Sequence, residues 1–380
     1  MKKIAFSGTL DPITNGHMWV IGEARALADH VVVFISENPF KAPQFQAEKR
    51  KIIIQQSLVE REWHDVSVVI VRGDYTARAA KRYGIDYLIR GIRNTTDFDY
   101  ENLLQQANVD VLQGAKTIFV MPPRDLGSVS SSFVRGLQGP VGWHWTMKKF
   151  VPRPAYEAWI LNWLRTEWEK LFHYAQLTPE ATRIADDWFT HLTGIAAYGN
   201  PARAYHNLDH LVHGLSEIGV WAANTGADVG SAELLKKAFW FHDAVYEAKP
   251  SGAPNEEASA QLWLSAGLDA ANAESVAALI RATDHAQRGQ IDHALAAVMT
   301  DADLAILGQS EDVYESYAKS VRQEYGWMPE SEYRAGRSAV LAHFYQEALK
   351  GALFKDRYFS DLYQAAAIEN LVDEISRIGS

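Results

Sequence analysis

Cysteine is absent from the chain, so neither a disulfide nor a thiolate metal site can form, and any bound metal must be held by imidazole and carboxylate groups. Long apolar runs are missing too. No stretch approaches the ~18 consecutive apolar residues of a membrane span, and the opening Met1-Lys2-Lys3-Ile4-Ala5-Phe6 breaks at Ser7-Gly8, too soon for a secretory signal. Positive charge is in short supply: 37 Lys and Arg stand against 47 Asp and Glu, a formal net charge of -10. A surface of that sign does not displace counterions from nucleic-acid phosphates, which argues against nonspecific nucleic-acid binding but leaves room for local basic pockets. The expected setting is cytoplasmic, with no membrane and no nucleic-acid partner.

What is present is a globular composition, 47% hydrophobic and 22% charged, over 380 residues. That length exceeds one ordinary core, since domains cluster at about 100–200 residues. In the first third, β-branched runs at residues 3–6, 31–35, 66–71, 87–89 and 117–120 alternate with amphipathic stretches. Continuous apolar strands separated by helices predict a Rossmann-like, doubly wound α/β domain with a parallel sheet. Beyond Phe150-Val151-Pro152-Arg153-Pro154 the pattern changes to three- and four-residue spacing with almost no alternation, which predicts an all-α domain. The expected domains are 1–162 and 163–380. Residues 222–230, rich in small side chains, read as a loop between helices, and Trp159, Trp163 and Trp168 read as packing residues.

Two segments carry reactive side chains. The first is Ser7-Gly8-Thr9-Leu10-Asp11-Pro12-Ile13-Thr14-Asn15-Gly16-His17. Here Gly8 suits a tight turn after the first strand, Asp11-Pro12 a helix start, and Gly16 a close backbone approach to a ligand faced by His17. The bland alternative is a capping Thr14 with a surface His17. Arg90 and Arg93 follow a strand at its carboxyl end, where their forks suit phosphate oxygens, or they simply pair with Asp97 and Asp99.

These motifs, together with Asp97-Phe98-Asp99-Tyr100-Glu101 and Ser128-Val129-Ser130-Ser131-Ser132-Phe133-Val134-Arg135, resemble the phosphopantetheine adenylyltransferase family from about Lys3 to Trp159. The resemblance implies transfer of adenylyl from ATP, with Mg2+, to 4'-phosphopantetheine, giving dephospho-coenzyme A and pyrophosphate. It implies catalytic roles for His17, Lys41 and Arg90, and acceptor binding by Thr9, Lys41, Asp74, Arg90 and Asn108. ATP would be bound by Gly8, Thr9, His17, Arg93, Glu101, Ser130 and Ser131, and the protein would be a homo-oligomer. Ser7 stands where the family has Pro, Leu10 where it has Phe, and Gly136 where an acidic residue is common. The rival reading is another phosphate acceptor, such as nicotinamide mononucleotide.

The second segment set lies in the helical half. His206 and His210 are four residues apart on one helical face, where they either share an ion or form a polar surface. His242-Asp243 sits in the aromatic run Phe239-Trp240-Phe241, where a buried charge needs a partner. Asp301 and Asp303 offer a further carboxylate, and His285 either faces solvent or meets a substrate phosphate or second ion. The order His, His-Asp, Asp on a helical background resembles the HD phosphohydrolase superfamily. The resemblance implies that His210, His242, Asp243 and Asp303, with Asp301 competing, hold a divalent metal (Mn, Mg, Fe, Ni, Co or Zn). His206 would protonate the leaving oxygen of a phosphate-containing small molecule. The alternative is a regulatory domain that binds a nucleotide without hydrolysing it.

Overall fold

In a computed structural model of the chain, residues 1–37, 42–106, 114–249, 252–285 and 290–379 are described. The chain divides into two units, Met1–Gly139 with Trp143–Trp159, and Pro140–Gly142 with Ile160–Ser380. The division falls three residues before the expected boundary, inside a continuous helix.

The first unit alternates strands and helices: β1 Lys3–Gly8, α1 Asn15–Leu27, β2 His30–Ser36, α2 Ala47–Glu60, β3 Val66–Val71, α3 Thr76–Arg82, β4 Tyr87–Gly91, α4 Thr95–Gln106 and β5 Lys116–Val120. It closes with α5 Ser131–Gly136, α6 Trp143–Lys148 and the start of α7 Arg153–Leu171. Among the described residues the strands form one parallel sheet in the order β3-β2-β1-β4-β5. The central strands β1 and β2 are buried along their length because they are covered on both faces, which is why their sequences are continuous apolar runs without alternation. One layer of the core joins Ala5, Val32, Phe34 and Leu88 of the sheet to Ala79 and Ala80 of α3.

The second unit is helical: the rest of α7, then α8 Pro179–Thr193, α9 Leu208–Thr225, α10 Val229–Phe241, α11 Asn255–Ala266, α12 Ala273–Arg281, α13 Ala296–Leu304, α14 Glu311–Glu324, α15 Glu330–Leu349 and α16 Arg357–Gly379. The expected loop over 222–230 is much shorter. Helix α9 runs on to Thr225, stops at the left-handed Gly226, and α10 restarts at Val229 with Asp228 capping Ser231 N–H. Aromatic packing dominates this core, with Trp168 edge-on to Trp240 at 4.8 Å and close to Phe172 and Phe189. Helices α9 and α10 approach so closely that a Cβ at Gly214 would lie 1.9 Å from the Phe239 ring. That approach brings the first turn of α9 to the last turn of α10.

Candidate functional sites

Ligands enter open α/β sheets at the carboxyl ends of strands where the strand order reverses. In this sheet the reversal lies between β1 and β4. A cavity of about 530 Å³ sits there, lined from the β1 end by Gly8 and Thr9, from α1 by His17, and from the β4 end by Arg90 and Arg93. Glu101, Ser130 and Ser131 complete the set of expected ATP contacts on its wall.

The turn after β1 is built differently from the sequence expectation. Its left-handed residue is Leu10 (φ 53), not Gly8. Asp11 is buried and accepts the N–H groups of Gln44 (2.5 Å) and Phe45 (3.2 Å), so Asp11-Pro12 anchors a loop and does not start a helix. Arg50, buried on α2, clamps the same turn by donating to the carbonyls of Phe45 and Thr9. Gly16 makes room for the Val129 carbonyl, which would lie 3.2 Å from a Cβ, so its service is to the fold more than to a ligand.

Helix α1 begins with a capping box. Thr14 Oγ1 accepts His17 N–H at 3.3 Å, and Thr14 N–H donates to His17 Nδ1 at 3.0 Å. Since Nδ1 is an acceptor, the hydrogen of the neutral ring sits on Nε2. Burial and the neighbouring Arg93 charge lower the ring's pKa to about 4, so His17 is neutral near pH 7 and acts as an Nε2–H donor. In the ligand-free protein, the His17 ring followed by NMR is expected to titrate with a midpoint near 4. The folded value lies below the ordinary 6.5, so its contribution to stability is complete above pH 6.5 and drains away as pH falls toward 4. A midpoint at 6.5 or higher would contradict this environment.

Arg93 forks over Asp97 (2.7 and 3.1 Å), so the ion-pair alternative holds for that residue, and Arg90 pairs with Glu101 at 3.3 Å while donating to the Ser7 carbonyl. These pairs orient both guanidinium groups without removing them from the cavity wall. Ser130 caps α5 by accepting Phe133 N–H at 3.1 Å, and Ser131 Oγ donates to the Pro12 carbonyl at 2.8 Å, so both hydroxyls are engaged with backbone. Asp74 is not brought to this cavity: it accepts Tyr75 N–H and pairs with Arg82. Lys41 and Asn108 lie outside the described residues.

In the second unit, the start of α9, the end of α10 and α13 bring three ligand atoms within 4.8 Å of one another, from His210, His242 and Asp303, with the Asp243 carboxylate against the two imidazoles. His210 Nε2 lies 3.0 Å from His242 Nε2, 3.4 Å from Asp243 Oδ2 and 3.5 Å from Asp303 Oδ1. His242 Nε2 lies 3.0 Å from Asp243 Oδ2 and 3.5 Å from Asp303 Oδ1. Metal bonds of about 2.0–2.2 Å to imidazole and carboxylate place adjacent ligand atoms about 3.0–3.5 Å apart, so the spacings among His210, His242 and Asp303 fit one divalent ion. His242 Nδ1 donates to the Phe239 carbonyl at 2.8 Å, which directs Nε2 inward, as ligand histidines require. Burial opposes ionisation of Asp243 and Asp303, yet their histidine neighbours hold both carboxyls below the usual range. Two imidazoles and one ionised carboxylate, with a second carboxylate beside them, are a donor set for Mn, Fe, Co, Ni or Zn, and for Mg through the carboxylate oxygens.

Asp301 is not part of this cluster. It is fully buried two residues before Asp303, and its Oδ2 accepts the N–H groups of Lys355 and Asp356 at 2.7 Å each. Residues two apart on a helix point about 200° around the axis from each other, so only one of the pair can face α9 and α10. His285 Nε2 stands 3.7 Å from Asp303 Oδ2, at the rim of the cluster.

His206 lies beside these ligands, its ring centroid 5.7 Å from that of His210. Two residues that sequence reasoning did not single out surround it. Tyr246 stacks on its ring at 3.9 Å, and the buried Glu324 of α14 accepts its Nδ1–H at 2.7 Å. Although burial works against it, the Asp243 charge and the Glu324 hydrogen bond raise the His206 pKa above its ordinary value.

Comparison with known proteins addresses the first unit. Residues 5–137 match the Cytidylyltransferase-like family. A phosphopantetheine adenylyltransferase of Chromobacterium violaceum is 34% identical over 156 residues, covering 41% of this chain and 94% of the relative. Enzymes of the same name from Neisseria meningitidis (31% over 156 residues, 41% of this chain and 91% of the relative) and Streptococcus agalactiae (34% over 152 residues, 40% and 91%) align over the same share. Through its amino-terminal unit, this chain belongs to the phosphopantetheine adenylyltransferase family.

Proposed function

We propose that the amino-terminal unit joins ATP to 4'-phosphopantetheine. An oxygen of the acceptor phosphate attacks the α-phosphorus of ATP, the bond from that phosphorus to the bridging oxygen breaks, and pyrophosphate leaves. Phosphoryl chemistry of this kind needs positioning and charge neutralisation more than covalent catalysis. The observation that carries the reading is the meeting of a neutral His17, aimed by its capping box, with Arg90 and Arg93 at the switch point of the sheet. His17 Nε2–H would donate to the oxygen charge that develops at the α-phosphorus, and the two guanidinium forks would hold phosphate oxygens. Mg2+ carried with ATP would neutralise the departing pyrophosphate.

The test is pyrophosphate release by the full chain with ATP, Mg2+ and 4'-phosphopantetheine, with dephospho-coenzyme A identified by mass. Inactivity with that acceptor alongside turnover of nicotinamide mononucleotide would move the substrate assignment elsewhere.

For the carboxyl-terminal unit we propose an HD-type phosphohydrolase acting on a phosphate-containing small molecule. His210, His242, Asp243 and Asp303 would hold a divalent ion, which lowers the pKa of bound water and neutralises phosphoryl oxygens. His206, held next to this cluster with its Nδ1–H on Glu324, supports a role as proton donor to the leaving oxygen. Among the described residues, the buried Tyr205 hydroxyl, packed against His206 and His210, has no hydrogen-bond partner and is a further group able to meet a ligand.

A further inference from the structure

Both carboxylate oxygens of Glu324 serve a single dipeptide. Oε1 accepts the N–H groups of Tyr205 (2.8 Å) and His206 (2.9 Å), while Oε2 accepts Nδ1–H of His206 at 2.7 Å. The acid comes from α14, more than a hundred residues further along the chain, and its side chain is 2% exposed. The buried Asp301 is a useful contrast. It also takes two consecutive backbone N–H groups on one oxygen, a purely structural cap. Glu324 makes the same cap with Oε1 and then spends its second oxygen on an imidazole.

That second bond removes the freedoms that matter for proton transfer. The backbone of His206 is tied by its N–H, the ring plane is held by the stack on Tyr246 (3.9 Å, 25° between planes), and the ring's flip is fixed by Nδ1. Only Nε2 is left for chemistry beside the metal cluster. Carboxylates that orient a histidine in this way are worth orders of magnitude in rate when the histidine moves a proton.

We propose that Glu324 is a positioning residue: it holds Nδ1–H of the His206 imidazolium so that the Nε2 proton is the one given to the leaving oxygen of a phosphate ester, the neutral ring keeping its hydrogen on Nδ1. This rests on the hydrolase reading of the carboxyl-terminal unit. Two measurements on the full chain test it separately from that reading.

The first needs no activity. With histidine nitrogen-15 labelled and metal withheld, long-range NMR correlations are expected to show hydrogen on Nδ1 of His206 in the wild type. In Glu324→Gln the amide oxygen can keep the backbone N–H groups while its NH2 turns toward Nδ1, which then becomes an acceptor and shifts the hydrogen to Nε2. A wild-type ring carrying hydrogen on Nε2 alone would overturn the proposal, as would a variant ring unchanged from wild type.

The second uses the Mn2+-loaded protein with phenyl phosphate and p-nitrophenyl phosphate as probes. A general acid contributes roughly 10²–10⁴-fold where the leaving group needs its proton. Glu324→Gln is therefore expected to lower kcat on phenyl phosphate by about 10²-fold or more, with KM little changed, and to lower kcat on p-nitrophenyl phosphate by less than about tenfold. In a His206→Gln background the Glu324→Gln change should add almost nothing, because the two residues act as one unit. Equal losses on both esters, or additive losses, would mark Glu324 as structural and sink the idea. If the wild type hydrolyses neither ester, the hydrolase reading falls, and the NMR result alone decides the positioning role.

Discussion

Replacing His242 by alanine is expected to remove the divalent ion proposed for the carboxyl-terminal unit and, with it, the proposed metal-dependent hydrolysis of phosphate esters. Metal content per chain after dialysis, read by mass spectrometry, checks the first part, and release of inorganic phosphate checks the second. The size of the effect follows from position. Changes to groups that merely support a ligand cost roughly 10- to 100-fold in metal affinity, and His242 supplies one of three converging donors, at 3.0 and 3.5 Å from the other two. Asp303→Asn should behave like His242→Ala. Asp301→Asn should not: its carboxylate holds two buried N–H groups, and hydrogen bonds to a charged group contribute about 1.5–3 kcal/mol each. That variant is expected to keep its metal and to melt at a lower temperature. Loss of metal from Asp301→Asn with a normal melting temperature would reverse the assignment of the two acids.

The second large effect concerns His17. A preorganised donor aimed at charge that appears only in the transition state is worth about 10²–10³-fold in kcat. His17→Ala is therefore expected to lower the rate of pyrophosphate formation from ATP and 4'-phosphopantetheine by that factor, with a much smaller change in KM for either substrate. Arg93→Ala should divide its loss differently. Its guanidinium lines the cavity and is oriented by Asp97, so removing it should take away the proposed ground-state contact with ATP phosphates and raise KM for ATP. Steady-state kinetics with each substrate varied in turn distinguish the two. If His17→Ala raised KM for ATP and left kcat alone, His17 would be a binding residue and the proposed mechanism would be wrong.

The fold of the first unit was legible because burial on both faces demands runs of β-branched and aromatic residues. All five strands stand where those runs lie, extended by one or two residues at some ends. Helix boundaries were less legible. Residues 222–225 are small and polar enough to look like a loop, yet they complete α9, and the true punctuation is Gly226 followed by the Asp228 cap. At the other end of the chain, Asp11-Pro12 imitated a helix start while the working cap was Thr14, three residues before His17. That His210, His242 and an acid of the Asp301/Asp303 pair would come together was readable as an order of residue types, while Asp243, expected with them, stands against the imidazoles outside the three-residue group of His210, His242 and Asp303. The choice between Asp301 and Asp303 was not, because it depends on which helical face meets α9 and α10 and which meets the segment before α16. Glu324 left no trace: in Glu311–Glu324 it is one of several acids in an ordinary amphipathic pattern, and only the tertiary approach of α14 to Tyr205 and His206 gives it a task.

The capping box at the start of α1 ties two properties that proteins usually keep apart. The amide at Thr14 that would otherwise go unmet is satisfied by a nitrogen of the ring that lines the switch-point cavity. Melting that first helical turn would therefore also let the imidazole lose its tautomer, and rebuilding it would restore the reagent in the same stroke. On the proposed mechanism residue 14 would bear on reaction rate without touching a substrate: a drifted sequence that kept the helix by some other cap would have a sound scaffold and a histidine free to turn.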